Sequence, residues 1–321
     1  MILLRVSELS SLGDCRRQWW WYRHRSPPTE STGLLEGELV HRGLEVYYRS
    51  NRSLEAVRRE PTNNPLVDAI VQHYAAYDTE VEQLHGSVEF VEKRFTVPLR
   101  DPDTGEERGD LLLSGKCDLG LRNGRGLRLV DHKALSPRTL ARLGNLENTV
   151  LVDWQLTGYA YLVWRVTGEL PREVILNILV KVVPQKPYLL RDGTPSRSRS
   201  QPTTGVLYRQ TLDELGLDHQ LYQDTLDFYD RDYSTFFRRV VSTRSRAELE
   251  AYERHLWRIG QEVTSLISDP SLIYPSPSLY RCGSCPFLQA CKEADSGGDP
   301  EAILSLWPMA QNDLEFGEIG P

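Results

Sequence analysis

The chain has 321 residues, 40% apolar and 26% charged, the balance of a soluble globular protein, and no apolar run approaches the length needed to cross a bilayer. Its formal net charge of −7 excludes a uniformly basic nucleic-acid coat but not a local basic groove. The start, MILLRVSELSSLGDC, lacks a basic region followed by an apolar stretch, so the expectation is a cytoplasmic protein. There are five cysteines, an odd number that argues against a disulfide framework, and four of them stand near the two ends.

The first third reads as helical. Ser7 or Ser10 can cap a helix containing Cys15 and the aromatic–basic run RRQWWWYRHR, which Pro27 and Pro28 end. A second helix, GLLEGELVHRGLEVYYR, carries Leu35, Leu39, Leu44 and Tyr48 near one face, with His41 inside it; Pro65 opens a third that runs to about Glu82. Residues 87–99 then alternate apolar and polar side chains as a strand does, and DPDTGEERGD makes a turn. Strands follow at 111–121 and 127–134, joined by the tight connection RNGRG. A helix over 149–167 ends at Gly168 and Pro171, and a fourth strand spans 172–183. The segment RDGTPSRSRSQPTTG has the composition of a mobile loop, and a mostly helical part including 246–268 leads to the cysteines. The acidic, glycine-rich tail from Asp295 is expected to be poorly ordered.

Chemistry concentrates in Gly115–Lys116–Cys117–Asp118 and Val130–Asp131–His132–Lys133. Side chains two apart on a strand share a face, so Asp131 and Lys133 point the same way. The hairpin lays the Asp118 strand beside theirs, so both carboxylates can reach one ion. Hard carboxylate oxygens suit Mg²⁺ or Mn²⁺, which polarises a phosphodiester, and a nearby ammonium can orient water and stabilise developing charge. The competing reading is an exposed strand edge with a solvated ion pair. Both charges, however, end an apolar strand, where burial is costly unless they are used or paired.

With these motifs on consecutive strands between helices, the chain resembles the PD-(D/E)XK nuclease superfamily, and is most similar to its RecB-like branch with AddB-type subunits and the CRISPR-associated iron–sulfur nucleases. The resemblance covers residues 15–291. It implies an α/β fold: a restriction-endonuclease-like mixed sheet flanked by helices, with helical N- and C-terminal portions joined by an Fe–S cluster. It implies Asp118 and Asp131 as metal ligands, Lys133 as the catalytic lysine, and His41 of Gly37-x-x-x-His41 as a further metal ligand. His132 is also counted as a metal-ligand candidate. Gln155–Leu–Thr–Gly–Tyr159 matches the family's Q-x-x-x-Y motif, and residues four apart share a helix face. Ala134 departs from the threonine or serine frequent after the lysine.

Cys282, Cys285 and Cys291 form a C-x-x-C-x5-C run suited to a metal centre, and Cys15 supplies a fourth thiolate. The resemblance implies a [4Fe–4S] cluster; structural Zn²⁺ on the same thiolates stays open. Cys117 reads as a small buried hydrophobe on the face opposite Asp118. In RRQWWWYRHR the tryptophans are expected to pack while Arg23 or Arg25 reaches DNA; the Arg197–Arg199 loop is a weaker contact candidate.

The expected organisation is an N-terminal helical part (1–86) with Cys15 and His41, a nuclease core (87–190), a helical part with the cysteine run (191–294) and a flexible tail (295–321). The expected function is a metal-dependent DNA nuclease, with exonuclease action on single-stranded or free-ended DNA. Other recombination or CRISPR-adaptation proteins are candidate partners, and no membrane is expected. The alternatives are a non-catalytic DNA-binding or scaffold module and a zinc-stapled interaction protein.

Overall fold

The computed structural model describes residues 1–27, 32–80, 84, 86–310 and 318–319. In chain order its elements are β1 (Ile2–Arg5), α1 (Leu9–Asp14), α2 (Arg16–His24), α3 (Thr32–Arg49), α4 (Leu54–Arg59) and α5 (Pro65–Glu80). Next come β2 (Ser87–Arg100), β3 (Glu107–Asn123), β4 (Gly126–Leu135), α6 (Pro137–Arg142), α7 (Leu146–Leu151), α8 (Trp154–Thr167) and β5 (Glu173–Val180). The remainder is α9 (Gly205–Glu214), α10 (Gln223–Tyr229), β6 (Phe237–Ser242), α11 (Arg246–Ser268), α12 (Leu279–Gly283), α13 (Leu288–Asp295), α14 (Glu301–Leu304) and β7 (Glu318–Ile319).

The strands form one mixed sheet in the order β6-β5-β4-β3-β2-β7, with β1 pairing β3 off that path. Helices cover both faces, as expected for the mixed α/β class. Leu162 and Val163 of α8 and Leu256 and Val263 of α11 pack on Phe95, Leu113 and Leu129. On the other side Val40 and Leu44 of α3 and Ile70 and Val71 of α5 pack on Leu121, Val130 and Ile175. The β4–β5 pair is parallel and therefore needs a crossover, which α6, α7 and α8 supply.

One irregularity positions the site. β4 pairs with β3 only from Asn123↔Gly126 up to Leu119↔Val130, yet stays with β5 as far as Leu135↔Val180. β1 takes the same edge of β3 further along, from Leu111 to Ser114. Between them β3 runs from Gly115 to Asp118 without a strand partner on that edge, among the described residues. The sheet forks there, and α8 crosses directly behind. Gly115 permits that approach: a Cβ would sit 2.7 Å from Leu162 Cδ1 and 3.1 Å from both Tyr159 Cε1 and Val6 Cγ2.

Several expectations are corrected. The first third is not wholly helical, because ILLR forms β1, too short to show periodicity. The first helix breaks in two at Cys15, which is extended (φ −161°), and neither Ser7 nor Ser10 caps it. The single helix over 149–167 is α7 and α8, separated because Asp153 leaves the helix and caps α8. FRRVVS, taken with the helical part, forms β6 against β5. Leu35 is exposed rather than on the buried face of α3. Glu82, the expected end of the third helix, lies outside the described residues.

The glycine- and serine-rich loop is anchored, not mobile. The buried Gln201 side chain donates to the carbonyls of Ser196 and Ser198, and Tyr208 Oη donates to Ser196. The tail as far as residue 310 is also tied down: Leu304 is fully buried, and Trp307 packs on Phe287 with ring centroids 5.0 Å apart. The rest of the expected tail, apart from β7, lies outside the described residues.

Gly115→Ala should cost about 1–3 kcal/mol in chemical denaturation, the usual penalty for overfilling a packed site. An unchanged midpoint would show that α8 does not press on the fork as described.

Candidate metal centre and active site

Four elements converge on the fork. β3 supplies Asp118, β4 supplies Asp131 and Lys133 two residues apart on one face, α3 supplies His41, and β2 supplies Glu92. His41 Nδ1 lies 3.5 Å from Glu92 Oε1 and 3.6 Å from Asp118 Oδ2. His41, Glu92 and Asp118 each offer a ligand atom within 4.8 Å of the others, the spacing of a group that could hold one metal ion. All of these residues line one open cleft of about 820 Å³.

A second set surrounds Lys133. Its ammonium donates to Asp131 Oδ1 at 3.1 Å and to Gln155 Oε1 at 3.0 Å, while Gln155 Nε2 donates to Tyr159 Oη at 2.8 Å. Gln155 and Tyr159 sit one turn apart on α8, so the helix presents both to the lysine. Asp131 Oδ2 lies 3.0 Å from the ammonium but, although buried, is without a hydrogen-bond partner. Asp131 stands outside the His41–Glu92–Asp118 group, but its orphaned oxygen, in a side chain lining the same cleft, is one that a hard cation would satisfy. The donor set therefore fits Mg²⁺ or Mn²⁺.

The charges report the strain of this assembly. Burial, together with the like charge of Asp131, pushes the Asp118 carboxyl up to about 7, against the pull of His41 and the His132 N–H. Burial raises Asp131 too, offset by Lys133. For Lys133, burial works against the ammonium, but Asp131, Asp118 and Asp153 together outweigh it and hold the pKa above the ordinary lysine value. His41 is likewise raised despite burial, by Glu92 and Asp118, and Glu92 is lowered despite burial, by His41 and Lys116.

His132 does not join the group. It follows Asp131 by one residue and so points away from it, into the core. Its ring stacks on Tyr48 (5.7 Å between centroids), its Nδ1 lies 2.9 Å from Asn177 Nδ2, and burial drives its pKa well down. What it contributes is its backbone N–H, which donates to Asp118 Oδ2 at 2.7 Å and bridges the fork. Glu92, by contrast, was not among the expected residues. Its φ of +49° is rare for a side-chain-bearing residue in a strand, and the register slips just before it, between Val88 and Phe90. The available signal was a carboxylate sharing the parity of Val88 and Phe90.

The cysteines are all free of disulfides. Cys15, Cys282, Cys285 and Cys291 line a separate cavity of about 530 Å³ between α2 and the C-terminal helices. Donors point at three sulfurs: Ser276 N–H at Cys15 (3.4 Å), Ser278 N–H at Cys282 (3.3 Å) and Arg17 Nη1 at Cys291 (3.3 Å). Such donors favour thiolates, the form that ligates metal. Cys117 is buried at 2% exposure in the α8-side core.

The expected DNA contacts from the first helix are corrected. Trp19 and Trp21 are buried, but Arg23 is bound to Glu8 (2.7 Å) and Arg25 to Glu301 (3.0 Å), so both are occupied. Arg197 lies over the Tyr222 ring and Arg199 over Phe228, covering the small core beneath the loop. Among the described residues no helix is long and apolar enough to cross a membrane.

A sequence profile of the PD-(D/E)XK nuclease superfamily matches residues 4–292. Comparison with curated proteins finds no match. Among solved structures, "Crystal structure of SSO0001" aligns with 78% of this chain and 81% of its own, at 12% identity and a TM-score of 0.30.

Because Asp118 has a folded pKa near 7 and an unfolded value of about 4, its contribution to stability is present below pH 4 and lost as pH rises towards 7. Metal-free wild type should therefore lose thermal stability relative to Asp118→Asn across that window. Paired melting curves at stepped pH check this; an offset independent of pH would contradict the buried carboxylate pair.

Proposed function

This chain belongs to the PD-(D/E)XK nuclease superfamily, and we propose that it is a metal-dependent DNA nuclease, acting as an exonuclease on single-stranded or free-ended DNA. The observation that carries this reading is the fork, which sets a possible metal group of His41, Glu92 and Asp118 beside the Asp131–Lys133 pair. Asp131, with its unsatisfied oxygen, would complete the ligand set. Mg²⁺ or Mn²⁺, when bound there, would polarise the phosphodiester and acidify the attacking water.

The chain's own residues do the rest. Lys133, with its raised pKa, stays cationic, so its role is to orient water and stabilise negative charge rather than to accept a proton. Gln155 fixes the ammonium, and Tyr159 fixes Gln155. Burial raises the Tyr159 phenol, which therefore remains a neutral hydrogen-bonding group at physiological pH.

The four thiols would hold a [4Fe–4S] cluster that joins α2 to the C-terminal helices. The four sulfurs line one cavity of about 530 Å³, and the choice of an iron–sulfur cluster over Zn²⁺ on the same thiolates rests on the family resemblance. This thiol set, His41 and Gln155–Tyr159 support placement in the RecB-like branch, with recombination or CRISPR-adaptation proteins as partners. A reducing cytoplasm would suit the free thiols.

End-labelled linear single- and double-stranded DNA should be cut with Mn²⁺ or Mg²⁺, not with EDTA, and Lys133→Ala should remove at least 100-fold of the rate, of the order expected for a group acting on transition-state charge. Wild-type activity in that variant, or no cutting by intact wild type, would refute the assignment. Anaerobically purified protein should contain iron and acid-labile sulfide, and Cys285→Ala should lose both and unfold at lower temperature. Stoichiometric zinc without iron, or an equally stable variant, would contradict the cluster.

A further inference from the structure

Beside the carboxylate group two cations face each other across β2 and β3: Arg94 is the register partner of Lys116. Like charges directly opposite on neighbouring strands are destabilising. Lys116 is neutralised, its Nζ lying 2.6 Å from Glu92 Oε2. Arg94 is not. It is half-buried in the wall of the cleft and, among the described residues, its guanidinium makes no hydrogen bond, ion pair or ring contact.

The other cations of the cleft have anions to act on. Lys133 is held by Asp131, and the charge of Arg5 acts on Glu8. Arg42 is exposed and has Glu38 one turn away on α3. Arg94 alone in this set combines partial burial, a like-charged neighbour and no counter-ion. Such a guanidinium carries a desolvation cost, and its planar fork matches the two free oxygens of a phosphodiester.

We propose that Arg94 binds a phosphodiester of the substrate strand adjacent to the one positioned at the carboxylate group. This deepens the nuclease reading and rests on it. Arg94 is then a substrate-positioning residue whose contact is with the backbone and is independent of sequence. The Lys116–Glu92 pair keeps the neighbouring position neutral, so the strand meets one unmatched cation there.

The test uses the full, cluster-loaded chain and a fluorescent oligothymidylate in EDTA, where no cutting occurs. Arg94→Gln should make the slope of log affinity against log salt shallower by about 0.7, the loss of one phosphate contact on a single strand. Arg94→Lys should keep the wild-type slope, as should Arg59→Gln, a control at an exposed surface pair. In Mn²⁺-supported cleavage, Arg94→Gln should raise KM several-fold with kcat nearly unchanged, and its melting temperature should not fall, since a repulsive pair has been removed. A lower melting temperature with unaltered slope and KM would make Arg94 structural and overturn the proposal. If wild type binds but never cuts while the slope still drops in Arg94→Gln, the phosphate contact stands and the nuclease assignment falls.

Discussion

The structure turns on the repulsion between Asp118 and Asp131. Two carboxylates at 7% and 3% exposure would not both ionise in a sheet interior without compensation, and the surrounding groups are arranged to supply it. Lys133 answers Asp131, His41 faces Asp118, and the His132 N–H caps the Asp118 oxygen across the fork. The compensation is partial, because burial and mutual repulsion still leave Asp118 near 7 and one Asp131 oxygen without a hydrogen bond. A divalent cation is the remaining term that would balance the site.

That electrostatic demand explains local features that propensity does not. Glu92 adopts a left-handed backbone inside a long strand, at a position where it meets both His41 and Lys116. The β4 strand leaves β3 where continued pairing would close the space between the carboxylates. Gly115 lets α8 approach closely enough to deliver Gln155 and Tyr159. Behind the fork, the Asn177–His132–Tyr48 contacts fix the face of β4 that the site does not use.

Much of this was legible because it follows the two-residue period of a strand. Asp131 and Lys133 share a face, Asp118 lies across the hairpin, and Gln155 and Tyr159 follow the helical period. His132 was misplaced by ignoring that same period: one residue from Asp131, it must point the other way. Glu92 shares the parity of Val88 and Phe90, but the register slip and the positive φ that aim it at His41 and Lys116 leave no trace in that alternation. The four terminal thiols were legible from spacing, but the break at Cys15 that turns its sulfur towards the C-terminal helices was not. FRRVVS was missed since its order comes from β5, distant in sequence, and the loop was missed since the buried Gln201 side chain and the Tyr208 and Tyr229 hydroxyls hold backbone whose composition reads as free.

The most direct test of the account is an anomalous-difference map from crystals of the full chain soaked in Mn²⁺. A peak is expected in the fork within ligand distance of His41, Glu92, Asp118 and Asp131, with Lys133 still bound to Gln155. A fork that takes no ion at millimolar Mn²⁺, or an ion held elsewhere in the cleft with Glu92 turned away, would contradict it.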